Sequence, residues 1–307
     1  MKTIHAFTYL ITLFILSSCA YNKQFLKPTK YTSATKQIIV NKTKTDSLIV
    51  KYNGTAFQPT FLKSNLDTLS QNFVIESVIF KNEKGIDLNG WMIQSKKASN
   101  ITKTILHFHG NTGSLLGQYS AMKPLLEKDV QIFVFDYSGF GFSDGEATRA
   151  NLLTDGVAAI KYLKTRPEVK NTKLILYGQS YGGHLAICVA SKTVQDYDLL
   201  VAEGAFSNHK DLSAFGASPF FGFMSRIFVK EIYSGTKMIK KVTQPVLIIH
   251  STDDKVIPFK MGEKLFNNAN QPKYFLKVMG VHLEAPKNNL EEVFNAMENL
   301  LKEKNKY

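Results

Sequence analysis

A serine stands between two glycines in the stretch GQSYG at residues 178–182, which fits the pattern G-x-S-x-G. The apolar run KLILY precedes this stretch, and the helix-like run HLAICVA follows it. A strand, a sharp turn and a helix in that order would place the hydroxyl of Ser180 at the end of the strand, where it could act as a nucleophile. The alternative is a chance glycine-rich turn, since the chain contains 19 glycines.

A serine hydroxyl is a weak nucleophile unless a base takes its proton. Among the seven histidines, His282 is the best candidate because it follows the last predicted strand, at the same edge of the sheet as Ser180. Asp253 and Asp254 end the preceding strand, and either carboxylate could orient the base. The order serine, aspartate, histidine favours a triad over the alternative of an isolated loop histidine.

Strands and helices must bring these residues together, and after Phe73 short apolar runs alternate with amphipathic stretches. This alternation predicts a mostly parallel sheet with helices on both faces. We expect one domain over residues 73–307, with an aromatic and basic lid insertion at 206–241. A chain of 307 residues, 44% of them hydrophobic, is long enough to bury such a core.

From about Phe73 onward the sequence resembles the α/β-hydrolase superfamily in the stretches HFHGNTG, FDYSGFGFSDG, LYGQSYGG, PVLIIHSTDDKVIP and MGVHLEA. It is most similar to the small-lid branch, which includes depalmitoylating thioesterases and monoacylglycerol-lipase-like or serine-aminopeptidase-like hydrolases. The resemblance implies an α/β-hydrolase fold with an eight-stranded sheet and a short helical lid. It favours Asp254 over Asp253 as the triad acid.

The same resemblance implies an oxyanion hole formed by the backbone N–H groups of Asn111 and Tyr181, the residue after the predicted nucleophile. The sequence departs from the usual family pattern at Tyr181, Ser251 and Val281. None of these three changes removes a reacting group. Each would narrow the pocket, so they bear on the substrate more than on the chemistry.

Other stretches allow different interpretations. His107 and His109 are two apart on a strand, but a metal pair is disfavoured because no third ligand has suitable spacing; His109 is expected to brace the oxyanion loop. The glycines of FDYSGFGFSDG lack both a phosphate-loop and a dinucleotide pattern. Glu203 is expected either to line the site or to lie at the edge of the core.

These residues predict a serine hydrolase that cleaves carboxylic esters or thioesters without a metal or an organic cofactor. The alternatives are a serine-aminopeptidase-like hydrolase and a non-catalytic ligand-binding lipoprotein on the same fold. We expect a monomer acting on a small-molecule or lipid acyl substrate. The lid phenylalanines either pack onto the domain or form an apolar wall for an acyl chain; they are Phe215, Phe220, Phe221, Phe223 and Phe228.

The first residues, MKTIHAFTYLITLFILSSCA, are typical of an export signal, because the apolar run is shorter than the ~20 residues that span a bilayer. The stretch LSSC resembles a bacterial lipobox, which implies cleavage after residue 18 and lipidation of Cys19. The alternatives are an uncleaved anchor and an ordinary signal peptide. We expect residues 19–72 to be a lipidated tether and an irregular segment, in a protein of the bacterial cell envelope, by default at the outer membrane.

The formal net charge of +13 suits an anionic membrane surface, and the lysines of the tether would be attracted to its headgroups. We find no nucleic-acid recognition module, so no nucleic-acid partner is expected. A disulfide framework is excluded because the only cysteines are Cys19 and Cys188. Cys188 lies in an apolar helical stretch and is expected to be a buried free thiol.

Overall fold

The structure is a computed structural model that describes residues 25–41, 47–215 and 217–304. The strands in these ranges are β1 (Lys27–Pro28), β2 (Gln37–Asn41), β3 (Ser47–Asn53), β4 (Gln58–Leu62), β5 (Phe73–Lys81), β6 (Asp87–Ser95), β7 (Lys103–Phe108), β8 (Thr112–Gly113), β9 (Val130–Phe135), β10 (Lys173–Gln179), β11 (Leu199–Glu203), β12 (Val246–Ser251) and β13 (Lys273–Val278).

The α-helices in these ranges are α1 (Leu115–Gln118), α2 (Arg149–Thr165), α3 (Tyr181–Ala190), α4 (His209–Ala214), α5 (Pro219–Phe228), α6 (Gly235–Met238), α7 (Phe259–Asn268), α8 (Ala285–Asn288) and α9 (Leu290–Lys304). Two 3-10 helices cover Tyr119–Glu127 and Ile239–Lys241.

Eight strands form the central sheet in the order β13-β12-β11-β10-β7-β9-β6-β5. Strand β6 runs antiparallel to both of its neighbours, β5 and β9, and the other pairings are parallel. The chain leaves β7 to form β9 on one side and later returns to form β10 on the other. Such a switch point opens a crevice at the carboxyl ends of β7 and β10, where ligands bind in sheets of this kind.

Apolar side chains cover both faces of the sheet. One cluster includes Phe108, Leu185 and Val246 and receives helices α2, α3 and α7. The other includes Trp91 and Val293 and receives helix α9. Strand β10 is buried at every residue after its first, because a central parallel strand has helices on both sides. The prediction of an eight-stranded, mostly parallel sheet with helices on both faces is confirmed.

The described residues before Phe73, which are 25–41 and 47–72, differ from the irregular segment expected there. Strands β2, β3 and β4 form a three-stranded antiparallel sheet, and β1 pairs with β8. Val50, Tyr52 and Phe61 are buried in the same cluster as Trp91. These described residues therefore pack with the central sheet, because their buried apolar side chains belong to one of its two apolar clusters.

The lid segment, residues 206–241, contains helices α4, α5 and α6 and follows strand β11. Asn208 caps α4 by accepting a hydrogen bond from the N–H of Asp211, and Pro219 begins α5, where its fixed φ suits a first helical turn. Cys188 is buried and free, as expected for a thiol on an apolar helix.

The predicted signal peptide, residues 1–18, and the predicted lipidation site, Cys19, lie outside the described residues. Within the part of the chain that the structure describes, no helix combines the length and apolar character needed to span a bilayer.

Candidate active site

Ser180 lies at the junction between strand β10 and helix α3, with φ 55° and ψ −117°. This strained conformation costs about 1–3 kcal/mol and persists only where the surroundings enforce it. The turn is tight because a Cβ added to Gly182 would lie 2.0 Å from the carbonyl oxygen of Phe108. Glycine is therefore required at 182, and the serine is held at the carboxyl end of a central strand.

His282 and Asp254 form a hydrogen-bonded pair. The Nδ1 of His282 lies 2.6 Å from the Oδ2 of Asp254. Because a carboxylate only accepts, Nδ1 carries the proton, and in the neutral ring Nε2 is the acceptor. Nε2 is buried and has no hydrogen-bond partner among the described residues. The imidazole is thus oriented at one nitrogen and able to accept a proton at the other.

The surroundings of Asp254 favour its ionised form. Its Oδ1 accepts hydrogen bonds from the N–H groups of Val256 at 2.8 Å and Ile257 at 2.9 Å. Burial raises the pKa of Asp254, but the bonds from His282 and these two N–H groups outweigh it and hold the pKa below its ordinary value. The carboxylate of Asp253, by contrast, accepts a long hydrogen bond from the N–H of Gly280, at 3.4 Å from its Oδ2.

The loop of His282 lies beside the turn of Ser180. The N–H of Ser180 donates to the carbonyl of Glu203 at 2.9 Å. A Cβ added to the next residue, Gly204, would lie 2.8 Å from the Cε1 of His282, so the imidazole packs directly over that glycine. The predicted nucleophile and the predicted base therefore contact adjacent residues at the end of β11: the N–H of Ser180 bonds to Glu203, and the imidazole of His282 packs on Gly204.

Glu203 joins the two sides of the site through its side chain. Its Oε2 accepts hydrogen bonds from the hydroxyl of Tyr177 and the Nε2 of Gln179, and its Oε1 accepts one from the N–H of Ala285 at 2.9 Å. Burial raises the pKa of this carboxyl. Glu203 therefore ties the His282 loop to strand β10, which the sequence did not indicate because its partners are distant in the chain.

Asn111 and Tyr181, the predicted oxyanion residues, lie on adjoining loops. Tyr181 is the first residue of α3, so its N–H has no acceptor within the helix. The Nδ1 of His109 donates to the carbonyl of Gly110 at 2.8 Å. Because the peptide is planar and trans, the N–H of Asn111 points away from that carbonyl. A Cβ on Gly182 would lie 2.5 Å from the carbonyl oxygen of His109, so the two loops are in contact.

The remaining histidines near the site bond to other groups, and His250 also lies beside Asp254, with its Nε2 3.6 Å from the Oδ2 of that residue. The Nε2 of His107 lies 3.1 Å from the Oε1 of Gln179, and burial lowers the pKa of His107 to about 3. His184 bonds to the carbonyl of Phe206, and His250 bonds to the carbonyl of Ile257. In the described ranges, no three His, Cys, Asp or Glu side chains cluster in a way that could hold a metal ion.

The lid phenylalanines are placed differently from one another. Phe220 and Phe223 on helix α5 are 66% and 64% exposed, and Phe215 is also exposed, so these rings do not pack into the core. Phe228 is half-buried. The side chain of Phe221 lies outside what the structure describes.

Comparison with known proteins places this arrangement in context. The family model described as "alpha/beta hydrolase fold" matches residues 103–228. The chain is 34% identical over 215 residues to the uncharacterised protein YfhR of Escherichia coli, covering 68% of this chain and 74% of YfhR. It is 35% identical over 185 residues to human alpha/beta hydrolase domain-containing protein 17B, covering 59% of this chain and 60% of that one.

Solved structures share the fold at low sequence identity. The esterase Pf2001 of Pyrococcus furiosus superposes with a TM-score of 0.61 at 20% identity, covering 75% of this chain and 91% of the esterase. Est1E of Butyrivibrio proteoclasticus, in a structure with bound ferulic acid, gives a TM-score of 0.59 at 20% identity, covering 75% of this chain and 100% of Est1E. At these identities the likeness establishes the fold alone.

Proposed function

The chain belongs to the α/β-hydrolase superfamily, and from that premise we propose that it is a serine hydrolase cleaving carboxylic ester or thioester bonds. Ser180 is the nucleophile, His282 the general base and Asp254 the acid that orients it. The N–H groups of Asn111 and Tyr181 stabilise the oxyanion. The proposal is supported by the esterase neighbours, which share the fold, and by the arrangement of these side chains.

The proposed reaction has two stages. The Nε2 of His282 takes the proton of the Ser180 hydroxyl as the oxygen attacks the carbonyl carbon, and the carbonyl oxygen becomes an oxyanion. The imidazolium, stabilised by Asp254, then gives its proton to the leaving alcohol or thiol, which leaves an acyl-enzyme. Water activated by the same nitrogen attacks the acyl carbon, and collapse of the second tetrahedral intermediate releases the acid and restores Ser180.

One observation carries this proposal: the His282 imidazole is bound at Nδ1 by a carboxylate and keeps a buried, unpartnered Nε2 next to the turn that holds Ser180. Four other histidines also have one buried ring nitrogen without a hydrogen-bond partner among the described residues: His107, His109, His184 and His250. His282 differs because a carboxylate binds its other nitrogen at 2.6 Å and because its ring packs on Gly204, next to the carbonyl that binds the N–H of Ser180. The Nε2 of His282 is therefore available as an acceptor, and proton transfer requires the hydroxyl of Ser180 to come within hydrogen-bond reach of it when substrate binds.

A fluorophosphonate probe tests the chemistry directly, because it reacts with activated serines. We expect the folded wild type to be labelled and Ser180→Ala to be unlabelled. Ser207→Ala is the matched control, since Ser207 is a buried serine that the proposal does not use. A folded wild type that resists the probe would overturn the proposal and favour a non-catalytic binding protein.

The bond that is cleaved can be determined with three sets of substrates: p-nitrophenyl esters of graded acyl length, acyl thioesters and aminoacyl anilides. We expect turnover of the esters or thioesters and none of the anilides. Preferential cleavage of the anilides would instead indicate the aminopeptidase-like alternative.

We further propose that the enzyme acts at a membrane surface, anchored through lipidated Cys19. The support is the lipobox-like stretch LSSC and the lysine-rich segment after it. Metabolic labelling with an alkynyl fatty acid should mark the wild type and leave Cys19→Ser unmarked. Equal labelling of both proteins would contradict the anchor.

A further inference from the structure

Residues 25–31, which we call the N-terminal strap, lie against the loop that follows strand β7. Strand β1 of the strap pairs in parallel with β8, with Lys27 opposite Thr112. The N–H of Lys27 donates to the carbonyl of Asn111 at 2.8 Å, and the Nδ2 of Asn111 donates to the carbonyl of Phe25 at 2.9 Å. The strap thus holds Asn111 by its carbonyl and its side chain, and neither contact uses its N–H.

The strap is itself held from its other side by the loop that follows strand β9. The N–H of Gly141 donates to the carbonyl of Thr29 at 2.7 Å, and the N–H of Tyr31 donates to the carbonyl of Gly141 at 2.7 Å. The Nζ of Lys30 donates to the carbonyl of Ser143. The strap therefore bridges two loops at the carboxyl edge of the sheet, and its position is set by backbone bonds on both sides.

The first residue of the strap reaches the base of the lid. The ring of Phe25 meets the ring of His209 edge to face, with centroids 4.9 Å apart, and the guanidinium of Arg149 lies 5.4 Å from the Phe25 centroid. The Nε2 of His209 lies 3.4 Å from the hydroxyl of Tyr181. The strap therefore contacts one residue of the proposed oxyanion hole, Asn111, directly, and reaches the side chain of the other, Tyr181, through His209.

We propose that the N-terminal strap is a positioning element of the oxyanion hole, an inference that rests on the proposed hydrolase function. The N–H of Asn111 belongs to a peptide whose carbonyl, on Gly110, is held by His109. The next carbonyl, that of Asn111 itself, is held by Lys27. With both flanking carbonyls held, the N–H cannot rotate away from the site. A misplacement of ~1 Å near a reacting centre can cost about 100-fold in rate.

The test is to remove one backbone donor from the strap in the full-length protein. Lys27→Pro abolishes the N–H that binds the carbonyl of Asn111, because proline has no amide hydrogen. Lys27→Ala is the matched control, since it removes the side chain and keeps that N–H. We compare kcat and KM on a p-nitrophenyl ester, and the Kd of a boronic acid that forms a tetrahedral adduct with the nucleophile.

We expect Lys27→Pro to lower kcat by roughly 10- to 100-fold relative to Lys27→Ala, with a similar loss of boronate affinity and little change in KM. A loss of kcat and of boronate affinity at nearly constant KM indicates a positioning role. General destabilisation would instead lower the thermal midpoint and the fraction of active sites. Equal kcat and equal boronate affinity in the two variants would overturn the proposal.

A second variant covers the case in which Lys27→Pro fails to fold. Asn111→Ala keeps the backbone N–H and removes only the bond to the carbonyl of Phe25, so we expect a smaller loss of kcat with unchanged KM. An Asn111→Ala protein with wild-type kcat would overturn the proposal in that case. Labelling of the wild type by the fluorophosphonate distinguishes the two proposals. If the wild type is not labelled, the proposed hydrolase function is wrong. If it is labelled and the variants keep wild-type kcat, only the proposed role of the strap is wrong.

Discussion

Asp253 and Asp254 are adjacent acids in very different surroundings, which makes them a natural matched pair. The carboxylate of Asp254 accepts hydrogen bonds from His282 and from two backbone N–H groups. The carboxylate of Asp253 accepts one long hydrogen bond, from the N–H of Gly280. We expect Asp254→Asn to lower kcat by about 10³- to 10⁴-fold, because an amide at this position no longer holds the imidazole in the tautomer that accepts a proton at Nε2.

Asp253→Asn should retain nearly all activity, because its side chain contacts neither His282 nor Ser180. Steady-state kinetics on a single p-nitrophenyl ester compare the two variants. A large loss in Asp253→Asn together with near-normal activity in Asp254→Asn would reverse the assignment of the acid.

Asp136 is a buried carboxyl whose titration should be visible in the stability of the protein. Burial raises its pKa from 3.8 to about 8, although the N–H of Leu115 and the charge of Lys30 act in the opposite direction. The folded state therefore prefers the protonated form. The stability that this preference contributes is fully present below the unfolded pKa near 4 and is lost as the pH rises through about 8.

Asp136→Asn removes this titration while keeping an oxygen that can accept from Leu115. We expect the variant to gain stability relative to the wild type as the pH rises from about 5 to about 8.5. Urea unfolding at both pH values measures the difference in unfolding free energy. A difference that is the same at both values would show that folding does not raise the pKa of Asp136.

At the scale of elements, the turn between β10 and α3 depends on a close approach of two backbones. A Cβ on Gly182 would lie 2.0 Å from the carbonyl oxygen of Phe108, and a backbone atom in a central strand cannot move aside. We expect Gly182→Ala to cost about 3 kcal/mol of unfolding free energy.

Gly117→Ala is the control for that substitution, because Gly117 is exposed and a Cβ there would meet nothing within 4 Å. Its unfolding free energy should stay within about 1 kcal/mol of the wild type. Urea denaturation measures both variants, and equal stability of the two would mean that the turn relaxes more easily than its packing indicates.

At the scale of the whole molecule, the chain length sets how far the site can lie from its proposed anchor. Six residue steps separate Cys19 from Phe25, and an extended chain spans about 3.5 Å per residue, so the reach is about 20 Å at most. Phe25 packs on His209 at the base of the lid. A lipidated Cys19 would therefore keep this side of the domain close to the membrane surface.

This geometry predicts that the anchor matters for membrane-embedded substrates only. We expect Cys19→Ser to hydrolyse a soluble ester at the wild-type rate and to hydrolyse a lipid ester in vesicles at least tenfold more slowly, because the tether raises the effective concentration of the enzyme at the surface by ~100-fold or more. Parallel assays on the two substrates provide the measurement. Equal rates of the two proteins on vesicles would contradict the proposed action at a membrane surface.

Local patterns in the amino-acid sequence were enough to predict the fold class and to name candidate site residues. Apolar runs that alternate with amphipathic stretches indicate which segments are buried. The glycines beside Ser180 indicate a tight turn that few other residues can form. For these reasons a mostly parallel sheet with helices on both faces, and the positions of Ser180 and His282 after strand ends, could be predicted from local patterns. The number of strands and the choice of Asp254 came from the resemblance to known hydrolases.

Contacts between groups that are distant in the chain became visible only in the folded protein. Glu203 joins β10 to the histidine loop, and residues 25–31 cross the loop of Asn111. Each contact joins residues that are many positions apart, and a single hydrogen bond between them leaves no periodicity in the sequence. A polar residue next to a strand end has the same local pattern whether it faces solvent or a partner, so its role follows from packing alone.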